Sequence, residues 1–253
     1  VPFSRFVALG DSFTEGVGDP DPNLPNGVRG WADRLAGALD RVSPGLQYAN
    51  LAIRGRKLAG ILNEQIEPAV AMQPDLVTIY AGGNDMLRPR VDVDALVARY
   101  SEAVGRLVDT GATVAVFTAA DPGSAPVFGA MRGRFALYNE LVRHMADERG
   151  VTLVDFWRLG DYEDERLWDV DRLHMSAAGH QRMAIAVADA LGVEHDLEPL
   201  PLTPLAVRTS AERRAENLAW TRAHVAPWIK RRLTGRSSGD LIDPRRPVLA
   251  PVG

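Results

Sequence analysis

Four short motifs in this 253-residue chain carry residue types that together could perform acyl transfer. Ser12 closes Gly10-Asp11-Ser12, directly after the apolar run Phe6-Val7-Ala8-Leu9. Gly55 closes Asn50-Leu51-Ala52-Ile53-Arg54-Gly55, Asn84 lies in Gly82-Gly83-Asn84-Asp85, and His174 ends Asp171-Arg172-Leu173-His174. Acyl transfer needs a nucleophile, a base, a group to orient the base, and donors for a developing oxyanion. The Ser12 hydroxyl is inert until a base takes its proton, and an imidazole has the pKa for that task near neutrality. Asp171 precedes His174 closely enough to accept from Nδ1–H, which leaves Nε2 facing the serine. The Asn84 amide and the backbone N–H groups of Ser12 and Gly55 could complete an oxyanion hole, with Gly55 allowing close backbone approach.

Taken singly, each motif has a plainer reading. Gly-Asp-Ser and Gly-Gly-Asn-Asp are ordinary turn chemistry. Asp169 or Asp164 could replace Asp171 as the histidine partner. His180, among alanines on an expected helix, reads as structural, and His144, His195 and His224 have no partner motif. Glu15 and Arg54 stand close to the motifs without a role they must fill. What favours the chemical reading is the order of the motifs, each after an apolar run, and the complementarity of their side chains.

The elements that must position them alternate along the chain. Strands are expected at 6–9, 46–52, 75–81, 112–118 and 151–155, the clearest being the β-branched run introduced by Pro74 and stopped by Gly82-Gly83. Helical spacing appears from Trp31 to Leu39, and helices are expected at 57–70, 93–108, 131–149 and 177–191, with 156–175 as a loop. Strands alternating with helices predict a three-layer α/β/α sandwich around a five-stranded parallel sheet of flavodoxin-like type. Ligands bind such sheets beyond the carboxyl ends of the strands, where all four motifs fall. The loops 19–26 and 121–128 are expected at the rim of the site.

Residues 1–192 form the expected catalytic domain, and 193–253 an extension packed on it. The extension should hold a helix over 211–233, divided near Pro227 and seated through Leu218, Trp220, Trp228 and Ile229, and then an extended tail. Lys230-Arg231-Arg232 and Arg236, near Trp228 and Ile229, could give that helix a basic surface for an anionic partner or a membrane, but a solvated face is the preferred reading.

The composition is 46% hydrophobic and 25% charged, with a formal net charge of −4, and nothing in it calls for a nucleic-acid partner. No apolar stretch reaches transmembrane length. No signal peptide stands at Val1-Pro2-Phe3-Ser4-Arg5. The chain has no cysteine, which rules out disulfides and thiolate chemistry and suits a cytoplasmic setting.

With these motifs in this order, the chain resembles the SGNH hydrolases, or GDSL esterases/lipases, over about its first 190 residues. The run His174-Met175-Ser176-Ala177-Ala178-Gly179-His180 is similar to the family's final block. The resemblance implies Ser12 as nucleophile, His174 as base, Asp171 as its partner, and Ser12, Gly55 and Asn84 as oxyanion donors, with no metal and no organic cofactor. It implies hydrolysis of a carboxylic ester, a short-chain or acetyl ester being the expected substrate. An acyltransferase using the same acyl-enzyme, or a non-catalytic carbohydrate- or lipid-binding protein on the same fold, are the alternatives. The first block continues with Phe13 where leucine is commoner, and Arg54 stands before the glycine of the second, departures that could reshape the pocket.

Overall fold

A computed structural model describes residues 3–123, 129–206, 208–225 and 238–252. Along the chain run β1 (Arg5–Leu9), α1 (Ser12–Glu15), α2 (Gly30–Val42), β2 (Gln47–Asn50), α3 (Leu58–Glu64), α4 (Ile66–Ala71), β3 (Leu76–Ile79) and α5 (Gly83–Met86). Then come α6 (Val93–Val108), β4 (Thr113–Phe117), α7 (Arg132–Arg149), β5 (Thr152–Val154), α8 (Ala177–Leu191), α9 (Ser210–Trp220) and β6 (Arg246–Pro251).

The sheet order is β5-β4-β3-β1-β2-β6, and the first five strands are parallel. The alternation of side chains along a strand divides the core in two. Val7 and Leu9 of β1, with Val77 and Ile79 of β3, face α6 and α7 through Tyr100, Val104, Tyr138 and Val142. Phe6 and Ala8 face the opposite layer, where Trp31 and Leu35 of α2 and Met183 and Val187 of α8 cover them. The expected three-layer architecture and the flavodoxin-like order of the parallel strands are both present.

The strand count differs from expectation. Residues 246–251, anticipated as part of an extended tail, form a sixth strand antiparallel to β2, pairing Tyr48 with Ala250 and Asn50 with Arg246 across an irregular register. Its prolines, Pro247 and Pro251, are tolerated because an outermost strand need not donate from its free side. Leu249 adds its side chain to the core.

Two other segments depart from the sequence reading. The helix expected over 57–70 is divided at Gln65, because Pro68 has no N–H to give to the Glu64 carbonyl one turn back. The expected loop 156–175 is tightened by three 3₁₀ turns, Phe156–Arg158, Gly160–Glu163 and Glu165–Leu167. Phe156 and Tyr162 from these turns and Trp168 just after them pack together, Phe156 stacking on Trp168 with Tyr162 edge-on to both, and Phe13 lies against Phe156. In the extension, Trp220 ends α9 and lies under the Arg172 guanidinium, 4.9 Å from the ring centroid, whereas Leu218 is exposed. Pro227, Trp228, Ile229, Lys230-Arg231-Arg232 and Arg236 lie outside the described residues. Among the described residues no helix is long and apolar enough to cross a membrane.

Candidate active site

Strand order reverses on either side of β1, so the loops after β1, β2 and β3 meet above the middle of the sheet. Ser12 opens α1 because Asp11 caps it, its carboxylate accepting the Phe13 N–H at 3.1 Å. The turn before the cap is fixed by a side chain that the sequence reading passed over. The Gln65 amide accepts from Gly10 N–H at 2.8 Å and donates to the Gly10 carbonyl at 2.9 Å, both fully buried.

His174 reaches this turn from far along the chain, in the loop that leads into α8. Its Nε2 is 3.0 Å from Ser12 Oγ, and its Nδ1 is 2.6 Å from Asp171 Oδ2. The other Asp171 oxygen accepts the Leu173 and His174 backbone N–H groups at 2.9 Å each. Partial burial opposes the charge on Asp171, but the His174 ring and these two N–H donors win and hold the carboxyl well below the usual carboxylate range. An ionised carboxylate only accepts, so Nδ1 carries the imidazole proton and Nε2 presents a lone pair to the serine hydroxyl. The loop is anchored on both flanks: Asp169 N–H donates to the His174 carbonyl at 2.8 Å and Ser176 Oγ to the Arg166 carbonyl at 2.7 Å. Of the three aspartates considered, Asp171 is thus the one on the imidazole, while Asp164 binds Arg166 at 2.6 Å.

Gly55 (φ +75°) lines the same cleft as Ser12. Among the described residues neither the Ser12 nor the Gly55 backbone N–H has a protein acceptor. Asn84 also lines the cleft, but its amide nitrogen is engaged, 2.8 Å from Asp11 Oδ2 and 3.0 Å from the Arg56 carbonyl. Asp11 is buried, and that burial pushes its carboxyl up to about 7 against the pull of the Phe13 N–H, the His174 charge and the Asn84 amide.

The cleft encloses about 1800 Å³. Phe13, Tyr80, Phe156, Trp157 and Trp168 give it an aromatic floor, and Arg208, Asn217 and Trp220 bring the carboxy-terminal segment to its wall. Asp121, Pro122 and Gly123 stand at its rim as expected, while 124–128 lie outside the described residues. The loop 19–26 does not line it. Asp19 is buried there instead, in an ion pair with Arg34 at 2.8 Å. His180 is structural, accepting the Trp31 N–H at Nδ1 and donating to the Val17 carbonyl from Nε2. Burial lowers it to about 4, so it stays neutral. Among the described residues no cluster of three or more His, Asp or Glu is arranged to hold a metal ion.

Comparison with known proteins agrees with this architecture. No curated protein sequence matches the chain. Its fold is similar to that of LAE5, an α/β hydrolase enzyme from the metagenome of Lake Arreo, at 26% identity and a TM-score of 0.62 over 75% of this chain and 95% of that one. It is equally similar to Axe2, an acetylxylan esterase from Geobacillus stearothermophilus, at 25% identity and a TM-score of 0.62 over 76% and 95% of the two chains. TesA shares the fold at 22% identity, with a TM-score of 0.63 over 74% and 98%. Residues 8–182 match the model of the GDSL-like lipase/acylhydrolase family, a span that runs from β1 into α8 and takes in all four motifs. The chain therefore belongs to the GDSL-like lipase/acylhydrolase family and is a carboxylic ester hydrolase.

Proposed function

We propose that this hydrolase works through an acyl-enzyme on Ser12, and the observation that carries the proposal is the unbroken relay from Ser12 Oγ through His174 to Asp171. His174 Nε2 takes the hydroxyl proton as Oγ attacks the ester carbonyl. The oxyanion is received by the Ser12 and Gly55 N–H groups and by the Asn84 amide, which must turn from Asp11 or Arg56 to donate. The imidazolium, steadied by Asp171, returns its proton to the leaving alcohol. Water then repeats the sequence on the acyl group and frees the acid.

A short-chain ester, an acetyl ester above all, is the substrate we favour. Among the described residues the cleft wall is made of aromatic side chains, arginines and carboxylates more than of aliphatic ones, which suits a small acyl group better than an extended chain. The similarity to an acetylxylan esterase points the same way. A fluorophosphonate probe should label the wild type at Ser12, and aryl esters graded from acetyl to long chain should be cleaved fastest at the short end. Labelling that persists in Ser12→Ala, or folded wild type that never labels, would show the assignment of Ser12 to be wrong.

A further inference from the structure

Glu15 is an acidic side chain with no exposed surface, one helical turn beyond Ser12, and the mechanism above gives it no part. Its carboxylate accepts the Arg54 backbone N–H at 2.6 Å, the Arg54 Nε at 3.0 Å and the Arg54 Nη2 at 2.6 Å. Arg54 immediately precedes Gly55. One carboxylate thus ties the short helix that begins with Ser12 to the loop that carries Gly55. We propose that Glu15 is the positioning residue of the oxyanion hole, holding the Ser12 and Gly55 N–H donors at a fixed separation through its clamp on Arg54. The proposal rests on the assignment of those two groups as oxyanion donors.

The clamp is backed from behind. Asn26 Nδ2 donates to Glu15 Oε1 at 3.2 Å and to the Asp243 carbonyl at 3.1 Å, and Arg245 donates to the Glu15 carbonyl at 2.9 Å. Gly239 lies flat on the Arg54 carbonyl, so close that a Cβ there would sit 2.1 Å from that oxygen. The carboxylate, the two loops and the strap from 239 to 245 therefore leave the Gly55 loop little freedom. Rigid placement matters because oxyanion donors act by being set in advance where charge develops, and a donor free to wander loses most of its worth in the transition state. A buried carboxylate bound by a two-pronged guanidinium and a backbone N–H is a stiffer tie than an uncharged contact.

Glu15→Gln keeps the volume and one acceptor but loses the charge, and Arg54→Ala releases the clamp from the other side. Each should lower kcat for an acetyl aryl ester about 10- to 100-fold, with KM within about twofold, as loss of a transition-state interaction requires. Affinity for a small boronic acid, which becomes a tetrahedral adduct on Ser12, should fall in parallel with kcat. Both Arg54 variants keep the backbone N–H tie, and Arg54→Lys, which restores a side-chain cation opposite the carboxylate, should recover part of the loss. Thermal melts confirm that each variant is folded at the assay temperature. Wild-type kcat and boronate affinity in folded Glu15→Gln and Arg54→Ala would overturn the clamp, as would a rise in KM at unchanged kcat. Fluorophosphonate labelling of wild-type Ser12 keeps the two questions apart: if it labels, those results count against Glu15 alone, and if it does not, the acyl-enzyme reading and the clamp fall together.

Discussion

Replacing Asp11 by asparagine should change how the stability of this protein depends on pH. Burial raises the Asp11 carboxyl from 3.8, its value in the unfolded chain, to about 7 in the fold. Across that window the native state keeps a proton that the unfolded state has already released. Stability contributed by this group is therefore complete below about pH 4 and is lost as pH rises toward 7. At 1.36 kcal/mol per pKa unit the full difference is about 4 kcal/mol, of which about 2 to 3 kcal/mol falls between pH 5 and pH 8. His174 and Asp85 both face Asp11 electrostatically, with opposite effects, so the comparison is best made against the single variant in one buffer series. Asparagine removes the titration and keeps one acceptor for the Phe13 N–H or the Asn84 amide, at a pH-independent cost of about 1 kcal/mol for the contact it loses. Urea denaturation of the two proteins should give curves whose separation moves in favour of Asp11→Asn by about 2 to 3 kcal/mol from pH 5 to pH 8. A separation constant to within about 0.5 kcal/mol, the practical error of such extrapolations, would refute the account of Asp11 as a carboxyl strained by its burial.

The remaining expectations concern the relay and the buried charges. Asn84→Ala should lower kcat by about 10²- to 10³-fold with little effect on KM, measured by steady-state hydrolysis of an acetyl aryl ester. Asp171→Asn should cost about 10⁴-fold in kcat, less than the roughly 10⁶-fold of Ser12→Ala or His174→Ala, because it disturbs the imidazole without removing it. His180 protonates near 6.5 when unfolded but only near 4 in the fold, so it contributes stability present at neutral pH and lost as pH falls through that window. His180→Gln should flatten that acid-side decline by up to about 3 kcal/mol in denaturant titrations. Arg245→Met leaves the buried Asp33 without its main partner and should destabilise the fold by about 3 to 5 kcal/mol, read from the urea midpoint.

Much of this molecule is legible in the sequence, and the reason is local. The strand ending at Leu9, the helix from Ala177 to Leu191 between Ser176 and Gly192, and the loop turns at Asp171 and Asn84 are each governed by residues within a few positions. The positions of Ser12, Gly55, Asn84 and His174 then follow from the rule that parallel strands end on one edge. What the sequence hides depends on distant partners. Nothing around Gln65 announces that its amide will bracket Gly10, and Glu15 and Arg54 look like surface charges until β1 and β2 bring them together. The sixth strand has two prolines and no alternating pattern, and is a strand only because β2 offers it an edge. Nor does motif matching reveal that the Asn84 amide rests on Asp11 and Arg56, since that depends on side-chain direction within the turn.

The pairing of β6 with β2 also sets an order of events in synthesis. Gln47 meets Pro251, so about two hundred residues separate strands that lie side by side. Contacts of such long sequence separation close late and slowly. While residues up to Leu191 are emerging, β2 presents a row of unpaired N–H and C=O groups, a template for association with other chains. Until Arg245 arrives, Asp33 lacks the cation that matches it in the finished fold. The nascent hydrolase thus passes through a stage in which the sheet is largely built but its margin is sticky and the Glu15 region unbraced. Chains cut short before residue 239 should collect in that stage, prone to clump and poor in activity, although every residue of the Ser12 relay has already been made.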